Sequence, residues 1–231
     1  MTNQLASQSL DAANFDISQI ITEDDEPVDN IASAKLQRFL VHTLYSSQWT
    51  DRPFVADANV GIFSTPRQPP IVPDVFISFD VVIAEDWWAK AHRSYFIWEY
   101  GKPPDVALEI VSNKEGNEAG RKLRIYAQMG VRYYVIYDPQ QLIQDQVLQV
   151  YELDADDEEY FARLDYQLPG MGLGLTLWEG EFEGRTDQWL RWSDSAGNLL
   201  PTGAEYAEQE RARADRMAAQ LRALGIEPNQ T

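Results

Sequence analysis

Two apolar runs separated by a helical segment dominate the pattern of hydrophobic and polar positions along the chain. The runs span residues 104–112 and Tyr133–Tyr137, and each is typical of a strand buried in a sheet. Between them, residues 118–129 place apolar side chains at helical spacing, and Gly130 is suited to end the helix. The first run carries Glu109 in its middle, and an ionisable group there is costly unless it has a partner. Glu109 is therefore the first residue that calls for an explanation.

Further elements are predicted on both sides of this unit. A helix is expected over residues 31–49, where Asp29 and Asn30 are suitable N-cap residues. Strands are expected over residues 54–63, 71–79 and 95–99, a hairpin over 147–153 and 160–164, and a last helix over 204–224. This order of elements predicts an α/β fold with a mixed central sheet flanked by helices, plus a C-terminal helix.

The same pattern divides the chain into three parts. Residues 1–26 are expected to be an acidic, loosely ordered segment, 27–195 a single domain, and 196–231 a linker with an amphipathic helix. That helix has a narrow apolar seam formed by Ala207, Ala214, Met217, Leu221 and Leu224. Such a seam is typical of a short coiled coil or of a helix packed on the domain, so association as a homodimer is one expectation.

Composition restricts the classes of protein. The chain has 231 residues, no cysteine and a net charge of −18, which excludes disulfides and thiolate metal sites and argues against simple nucleic-acid binding. The acidity serves solubility, or lies away from a local basic site, or includes carboxylates that bind a cation. The sequence has no apolar run that could span a bilayer and no secretory leader, so a cytoplasmic protein without a membrane partner is expected.

Asp74 is the predicted partner of Glu109. Asp74 lies near the start of the strand predicted over 71–79, and if the two strands are neighbours their carboxylates can meet at roughly 5 Å across the ladder. Asp105 is the rival, but four residues along one strand separate it from Glu109 by roughly 13 Å. Two carboxylates with a backbone carbonyl and waters are a ligand set that suits Mg²⁺.

Three segments give the sequence a resemblance to a known family. They are residues 72–74 (VPD), 108–112 (LEIVS) and 122–134 (KLRIYAQMGVRYY), of which 122–138 is the most specific stretch. Together they resemble the Uma-two family of restriction-endonuclease-like proteins in the PD-(D/E)xK nuclease superfamily, over about residues 27–192. The resemblance implies a restriction-endonuclease-like core, DNA as substrate and a divalent metal, Mg²⁺ or alternatively Mn²⁺.

The resemblance also implies a catalytic lysine, whose position departs from the superfamily pattern. The superfamily lysine stands two residues after the acid, where this chain has Val111. The family resembled takes its lysine from the following helix, which implies Lys122, with Lys114 as runner-up. The implied site then has Asp74, Glu109 and the Ile110 carbonyl on the metal, with Lys122 positioning the attacking water or stabilising the phosphate.

Two alternatives stay open. Glu109 could pair with Lys122 or an arginine for folding alone, and the protein could be a catalytically inactive nuclease fold that serves as a binding or regulatory module. Glu99 and Glu118 are secondary candidates, and Tyr126 is interpreted first as core and second as a wall of the site. No histidine is placed to activate Ser112 as a nucleophile.

Overall fold

A mixed sheet with helices on its faces forms the centre of the protein, as seen in a computed structural model that describes residues 30–112, 118–154 and 159–224. The strands in chain order are β1 (Phe54–Asp57), β2 (Ile62–Phe63), β3 (Val75–Phe79), β4 (Tyr95–Phe96), β5 (Val106–Ile110), β6 (Tyr133–Tyr137), β7 (Leu148–Asp154), β8 (Glu159–Ala162), β9 (Gln167–Leu168), β10 (Leu173–Phe182) and β11 (Arg185–Asp194). The helices are α1 (Ile31–Ser46), α2 (Ile97–Tyr100), α3 (Leu123–Met129), which follows a π-helical turn at Glu118–Lys122, and α4 (Gly203–Ala223).

The central sheet has six strands in the order β1-β3-β5-β6-β7-β8. Strands β5 and β6 are parallel and are joined through α3, whereas the other neighbours pair antiparallel. A three-stranded sheet, β11-β10-β9, and a small parallel pair, β2-β4, complete the fold. The predicted mixed α/β architecture of a restriction-endonuclease-like core, with its C-terminal helix, is confirmed.

Strand β5 is buried on both faces, which explains why its residues other than Glu109 are apolar. Val106, Leu108 and Ile110 belong to a core cluster that includes α1 and the β10–β11 hairpin. Ala107 and Val111 belong to a second cluster with residues of α3 and β6. Because side chains alternate along a strand, Glu109 points into the second layer, towards α3.

Helix α1 begins where the sequence predicts it. The Asn30 side chain accepts hydrogen bonds from the amides of Ala32 and Ser33 at 2.9 and 3.0 Å. The apolar side of the helix buries Leu36, Phe39, Leu40 and Leu44 in the first core cluster. The helix ends at Ser46 rather than at residue 49, just before Gln48, whose φ is 49°.

Three predicted strands are shorter than expected. The run 54–63 breaks after Asp57, because Asn59 adopts a positive φ of 55°, and Ile62–Phe63 pairs with β4 in a separate sheet. The strand expected over 71–79 begins at Val75. The strand expected over 95–99 stops at Phe96 and turns into α2, which ends at Gly101 with a φ of 78°.

Other predicted elements agree well with the structure. Gly130 ends α3 with a φ of 80°, and β7 and β8 form the expected antiparallel pair. The long β10–β11 hairpin, with ten residue pairs in register, was not predicted. No helix within the described ranges is long and apolar enough to cross a bilayer.

Candidate active site

Asp74 lies directly before β3, where the ladder between β3 and β5 stops. The last pair of that ladder is Val75 with Leu108, so the amide of Ile110 extends beyond it. The Asp74 side chain takes the place of a strand partner, because its Oδ2 accepts a hydrogen bond from the Ile110 amide at 2.6 Å. Its Oδ1 accepts a hydrogen bond from Gln37 Nε2 at 2.7 Å. One carboxylate thereby connects β3, β5 and α1.

Glu109 is the most buried carboxylate of the site, with 2% of the residue exposed. Lys122 Nζ donates to its Oε2 and the Tyr126 hydroxyl donates to its Oε1, each at 2.8 Å. Both donors come from the segment that connects β5 to β6, so the helix supplies the partners that this buried acid requires. The Lys122 side chain is 26% exposed and reaches the site from the solvent side.

The electrostatics of Glu109 are set mainly by burial. The pKa of Glu109 is raised to about 8, and loss of solvent is the largest cause. The negative charge of Asp74 raises this pKa further, whereas Lys122 and the hydrogen bond from Tyr126 lower it. The pKa of Tyr126 is raised well above its ordinary value, first by burial and then by the charge of Glu109. The two carboxylates are thus close enough to interact, and Tyr126 keeps its proton and donates it to the hydrogen bond.

Val111 explains why the lysine is not on the strand. Val111 is buried on the same face as Glu109, in the core cluster that includes Tyr126 and Tyr134. An ammonium group in that cluster would lose its solvent. Lys122 instead ends the π-helical turn at the start of α3, outside the packed cluster, and its flexible side chain spans the gap.

Among the other candidate residues, Asp105 has partners of its own at a different junction of the sheet. Asp105 accepts hydrogen bonds from the Phe79 amide and from Lys102, which ties the start of β5 to the end of β3. Glu99 is exposed on α2, and Glu118 begins the π-helical turn. Ser112 is exposed just after β5, and Lys114 lies outside the described residues.

Two residues that hold the site were missed from the sequence. Gln37 is buried on α1 and contacts both Asp74 and Asn59, whose Nδ2 donates to Gln37 Oε1 at 3.0 Å. Gln37 stands three residues before Leu40 and seven before Leu44, so a polar residue within the apolar stripe was a usable signal. Asn59 gives no such signal, because its role depends on the bend that ends β1.

The donor set suits a hard divalent cation. A carboxylate oxygen has two lone pairs, so Asp74 and Glu109 can accept their hydrogen bonds and still bind a metal. Within residues 30–112, 118–154 and 159–224 there is no cluster of three or more His, Cys, Asp and Glu side chains that could hold an ion. Two carboxylates, a main-chain carbonyl and water or substrate oxygens fit Mg²⁺ or Mn²⁺, which bind with few protein ligands, better than Zn²⁺.

Comparison with known proteins identifies the family of the chain. A search of curated proteins finds no match. A model of the Uma2 family, described as "Putative restriction endonuclease", matches residues 21–177. The match includes α1, the strands from β1 to β9 and every residue of the Asp74–Glu109 site, and it ends inside β10. It spans more than half of the 231 residues, and the chain therefore belongs to the Uma2 family of restriction-endonuclease-like proteins.

Proposed function

We propose that the protein is a metal-dependent endonuclease that hydrolyses phosphodiester bonds of DNA, with Asp74, Glu109 and Lys122 as its catalytic residues. The observation that carries the proposal is the 2.8 Å contact between Lys122 Nζ and the buried carboxylate of Glu109, next to Asp74 on the neighbouring strand. Paired carboxylates with one lysine are the combination that metal-assisted phosphodiester hydrolysis uses.

Asp74, Glu109 and the main-chain carbonyl of Ile110 would hold the cation. The amide and the carbonyl of a strand residue point to the same side, and the Ile110 amide points to Asp74. The Ile110 carbonyl therefore faces the same end of β3. When bound there, Mg²⁺ or Mn²⁺ supplies polarisation of the phosphodiester and a lower pKa for the attacking water.

The chain's own side chains would orient these groups. Gln37 fixes Asp74 and Tyr126 fixes Glu109, so neither carboxylate has to reorganise. Lys122 is partly exposed, and from its position beside Glu109 it would orient the attacking water or stabilise charge that develops on the phosphate.

The net charge of −18 does not by itself exclude a DNA substrate, because the helical segment that carries Lys122 also carries exposed cations. Arg121 and Arg124 are exposed and lie within two residues of Lys122 in the sequence. They would supply positive charge on this segment for contacts to substrate phosphates. The acidic residues elsewhere would limit binding to other surfaces.

A cleavage assay tests the proposal. Supercoiled plasmid is incubated with the protein and Mg²⁺ or Mn²⁺, and nicked and linear products are measured. We expect wild type to cut, and Glu109→Ala and Lys122→Ala each to lose about 100-fold or more in rate. Glu99→Ala, which removes an exposed carboxylate outside the site, is the matched control and should cut at the wild-type rate. Equal rates for wild type and Glu109→Ala, or no metal-dependent cleavage, would contradict the proposal.

The second candidate function is a binding or regulatory module without cleavage. The observation in its favour is that Glu109 already has hydrogen-bond donors on both oxygens and a pKa raised to about 8. In that case Glu109 serves the fold. DNA binding by a wild-type protein that does not cut, retained in Glu109→Gln, would support the module and reject the enzyme.

A further inference from the structure

The loop between β3 and β4 exposes two adjacent tryptophans. Trp87 is 57% exposed and Trp88 is 77% exposed, whereas Trp189 and Trp192 lie in the core. The rings of Trp87 and Trp88 meet edge to face, with centroids 6.1 Å apart. Val82 and Ile83, in the same loop, are exposed as well. An apolar patch of this kind marks an interaction site.

The tryptophans stand on an ordered turn. The amide of His92 donates to the carbonyl of Ala89 at 2.8 Å, and the amide of Ala89 donates to the carbonyl of Asp86 at 3.2 Å. His92 Nδ1 also lies 2.6 Å from the Asp86 carbonyl oxygen. These bonds hold both ends of the turn that carries Trp87 and Trp88, so the two rings are presented in a defined arrangement.

A cavity of about 350 Å³ lies beneath the tryptophans, and its lining includes three further aromatic residues among aliphatic and polar ones. Phe76 and Tyr95 meet edge to face at 5.3 Å, and Tyr95 stacks on Tyr100 at 4.3 Å. All three side chains line the cavity together with Trp87 and Trp88. Flat, aromatic walls and a volume of this size suit one planar ring system of the ligand.

The cavity is next to the candidate active site. Phe76 lies two residues after Asp74 along β3, about 7 Å away, and side chains two apart share a face of the strand. On the other side, Val60 lines the cavity and follows Asn59, which contacts Gln37, the residue that holds Asp74. A ligand in the cavity would therefore extend towards the carboxylates.

Position and charge bear on the kind of ligand. Arg93 lines the cavity and Lys90 lies on the same turn. Glu85 and Asp86 precede the tryptophans and Asp57 also lines the cavity, so the local charges are mixed. Exposed aromatic rings beside a candidate phosphodiesterase site, with a cation at the cavity wall, favour a partner with flat rings and an anionic backbone, which is the chemistry of an unpaired nucleic-acid strand.

We infer that Trp87, Trp88 and the cavity beneath them stack the unpaired bases of a DNA strand whose backbone passes the Asp74–Glu109 site. The inference deepens the proposed nuclease function and rests on it. It assigns DNA with a single-stranded segment, such as a flap, a gap or a melted end, as the preferred substrate. Duplex DNA keeps its bases stacked and cannot fill the cavity.

Binding measured without cleavage tests the inference. Fluorescence anisotropy is recorded in EDTA with a labelled 20-nucleotide single strand and with the same sequence as a duplex. We expect wild type to bind the single strand more tightly, and Trp87→Ala/Trp88→Ala to weaken that binding about 10-fold or more while duplex binding changes little. Trp87→Phe/Trp88→Phe should restore most of the affinity, since its rings still stack.

The matched control is Phe161→Ala. Phe161 is an exposed aromatic residue on β8, at the opposite edge of the sheet, and its loss should leave single-strand binding unchanged. Unchanged single-strand binding in the double alanine variant would overturn the inference, as would equal loss in the control. Tryptophan-dependent binding to anionic phospholipid vesicles with no effect on the oligonucleotide would overturn it in favour of a membrane ligand.

The plasmid assay separates this inference from the proposed function. If wild type cuts but the tryptophans do not affect single-strand binding, only the stacking subsite is rejected. If the tryptophans bind single strands but the wild type cuts no DNA form, including a flap substrate, the nuclease is rejected and the binding site is retained.

Discussion

Glu109 occupies a position where folding alone would not place a charge. It is buried on a central strand, and its two oxygens depend on Lys122 and Tyr126 for hydrogen bonds. Burying a carboxylate costs free energy even when it is paired, since the solvation it loses is large. Such a residue is expected where the charge is used for binding or chemistry.

Stability should therefore rise when Glu109 is neutralised. A folded-state pKa of about 8 exceeds the ordinary 4.5, so the folded protein holds the proton more tightly and wild type loses stability as pH rises between these values. Relative to wild type, the free energy of unfolding of Glu109→Gln should rise by up to about 1.4 kcal/mol per pH unit within that window and should rise no further above it. The measurement is urea unfolding from pH 5 to 9 in EDTA. A pH-independent difference for Glu109→Gln would contradict the assignment.

The site residues differed in how far the sequence predicted them. Glu109 stood out because an acid interrupts an apolar run, and Asp74 followed from the expected pairing of its strand with that of Glu109, which the structure has. Gln37 and Asn59 come from α1 and the bend after β1, and only the tertiary fold brings them to Asp74. Lys122 followed from the family resemblance, since a flexible side chain on a helix gives no spacing signal.

Strands buried on both faces were predictable, whereas the partly exposed β10–β11 hairpin was not. Apart from Glu109, β5 and β6 consist of apolar and aromatic residues, and that run makes both strands recognisable. The outer half of the β10–β11 hairpin is polar, with Glu179, Glu181 and Asp187, and reads as a loop. Its pairing depends on the inner half, where Trp189 and Leu190 enter the core. At β4 the aromatic run favours a longer strand, yet the backbone turns into helix α2 after Phe96. That helix ends at Gly101.

Helix α4 depends on its first turn for attachment to the domain. Glu205 completes a capping box with Thr202 and forms two hydrogen bonds to the buried guanidinium of Arg191, at 3.0 and 2.6 Å. Burial raises the pKa of Glu205, but the hydrogen bonds from Arg191 and Thr202 outweigh burial and lower this pKa overall. A lowered pKa means that this carboxylate stabilises the fold above the ordinary carboxyl pKa and ceases to do so in acid.

Glu205→Gln should consequently destabilise the protein at neutral pH, because it removes the charge that pairs with Arg191. The loss should be only about 1–2 kcal/mol, since solvent screens a partly exposed ion pair. The difference should shrink as pH falls below the ordinary value of 4.5, because the unfolded wild type then takes up a proton that the folded carboxylate, with its lowered pKa, does not yet bind. Thermal or urea unfolding at pH 7 and pH 4 measures both effects. Glu208→Gln, on the exposed part of α4, should change stability little, and a loss that persists unchanged in acid would argue against the ion pair.

For the whole molecule, α4 is the element most open to another chain. None of its residues is buried, and its seam residue Met217 is 55% exposed. Among the described residues the seam is not packed on the domain, and the short coiled coil stays the prediction for its apolar spacing. The predicted division into an acidic segment, a domain and a tail stays a prediction, since residues 1–29 are outside the described ranges.

Association through α4 can be measured by light scattering at tens of micromolar. We expect wild type to have the mass of a dimer and Met217→Glu/Leu221→Glu to be a monomer, because charges in an apolar seam oppose pairing. Ala219→Glu adds a charge on the opposite side of the helix and should stay dimeric. A monomeric wild type would refute the prediction.

Because Val111 stands where the superfamily has its lysine, Lys122 lies on a helical segment and not on a strand of the sheet. A lysine on β5 would be fixed by the ladder hydrogen bonds, whereas Lys122 belongs to a helical segment joined to β5 by residues 111–117. One residue inserted between Lys122 and the buried Tyr126 would turn the lysine by about 100° around the helix axis relative to that tyrosine, and it would leave the strand pairs of the sheet unchanged. The proposed metal ligands thus lie on or next to strands of the sheet, whereas the proposed catalytic lysine belongs to a separate helical segment. The reach of that lysine can therefore be altered within its own segment while both carboxylates stay in place.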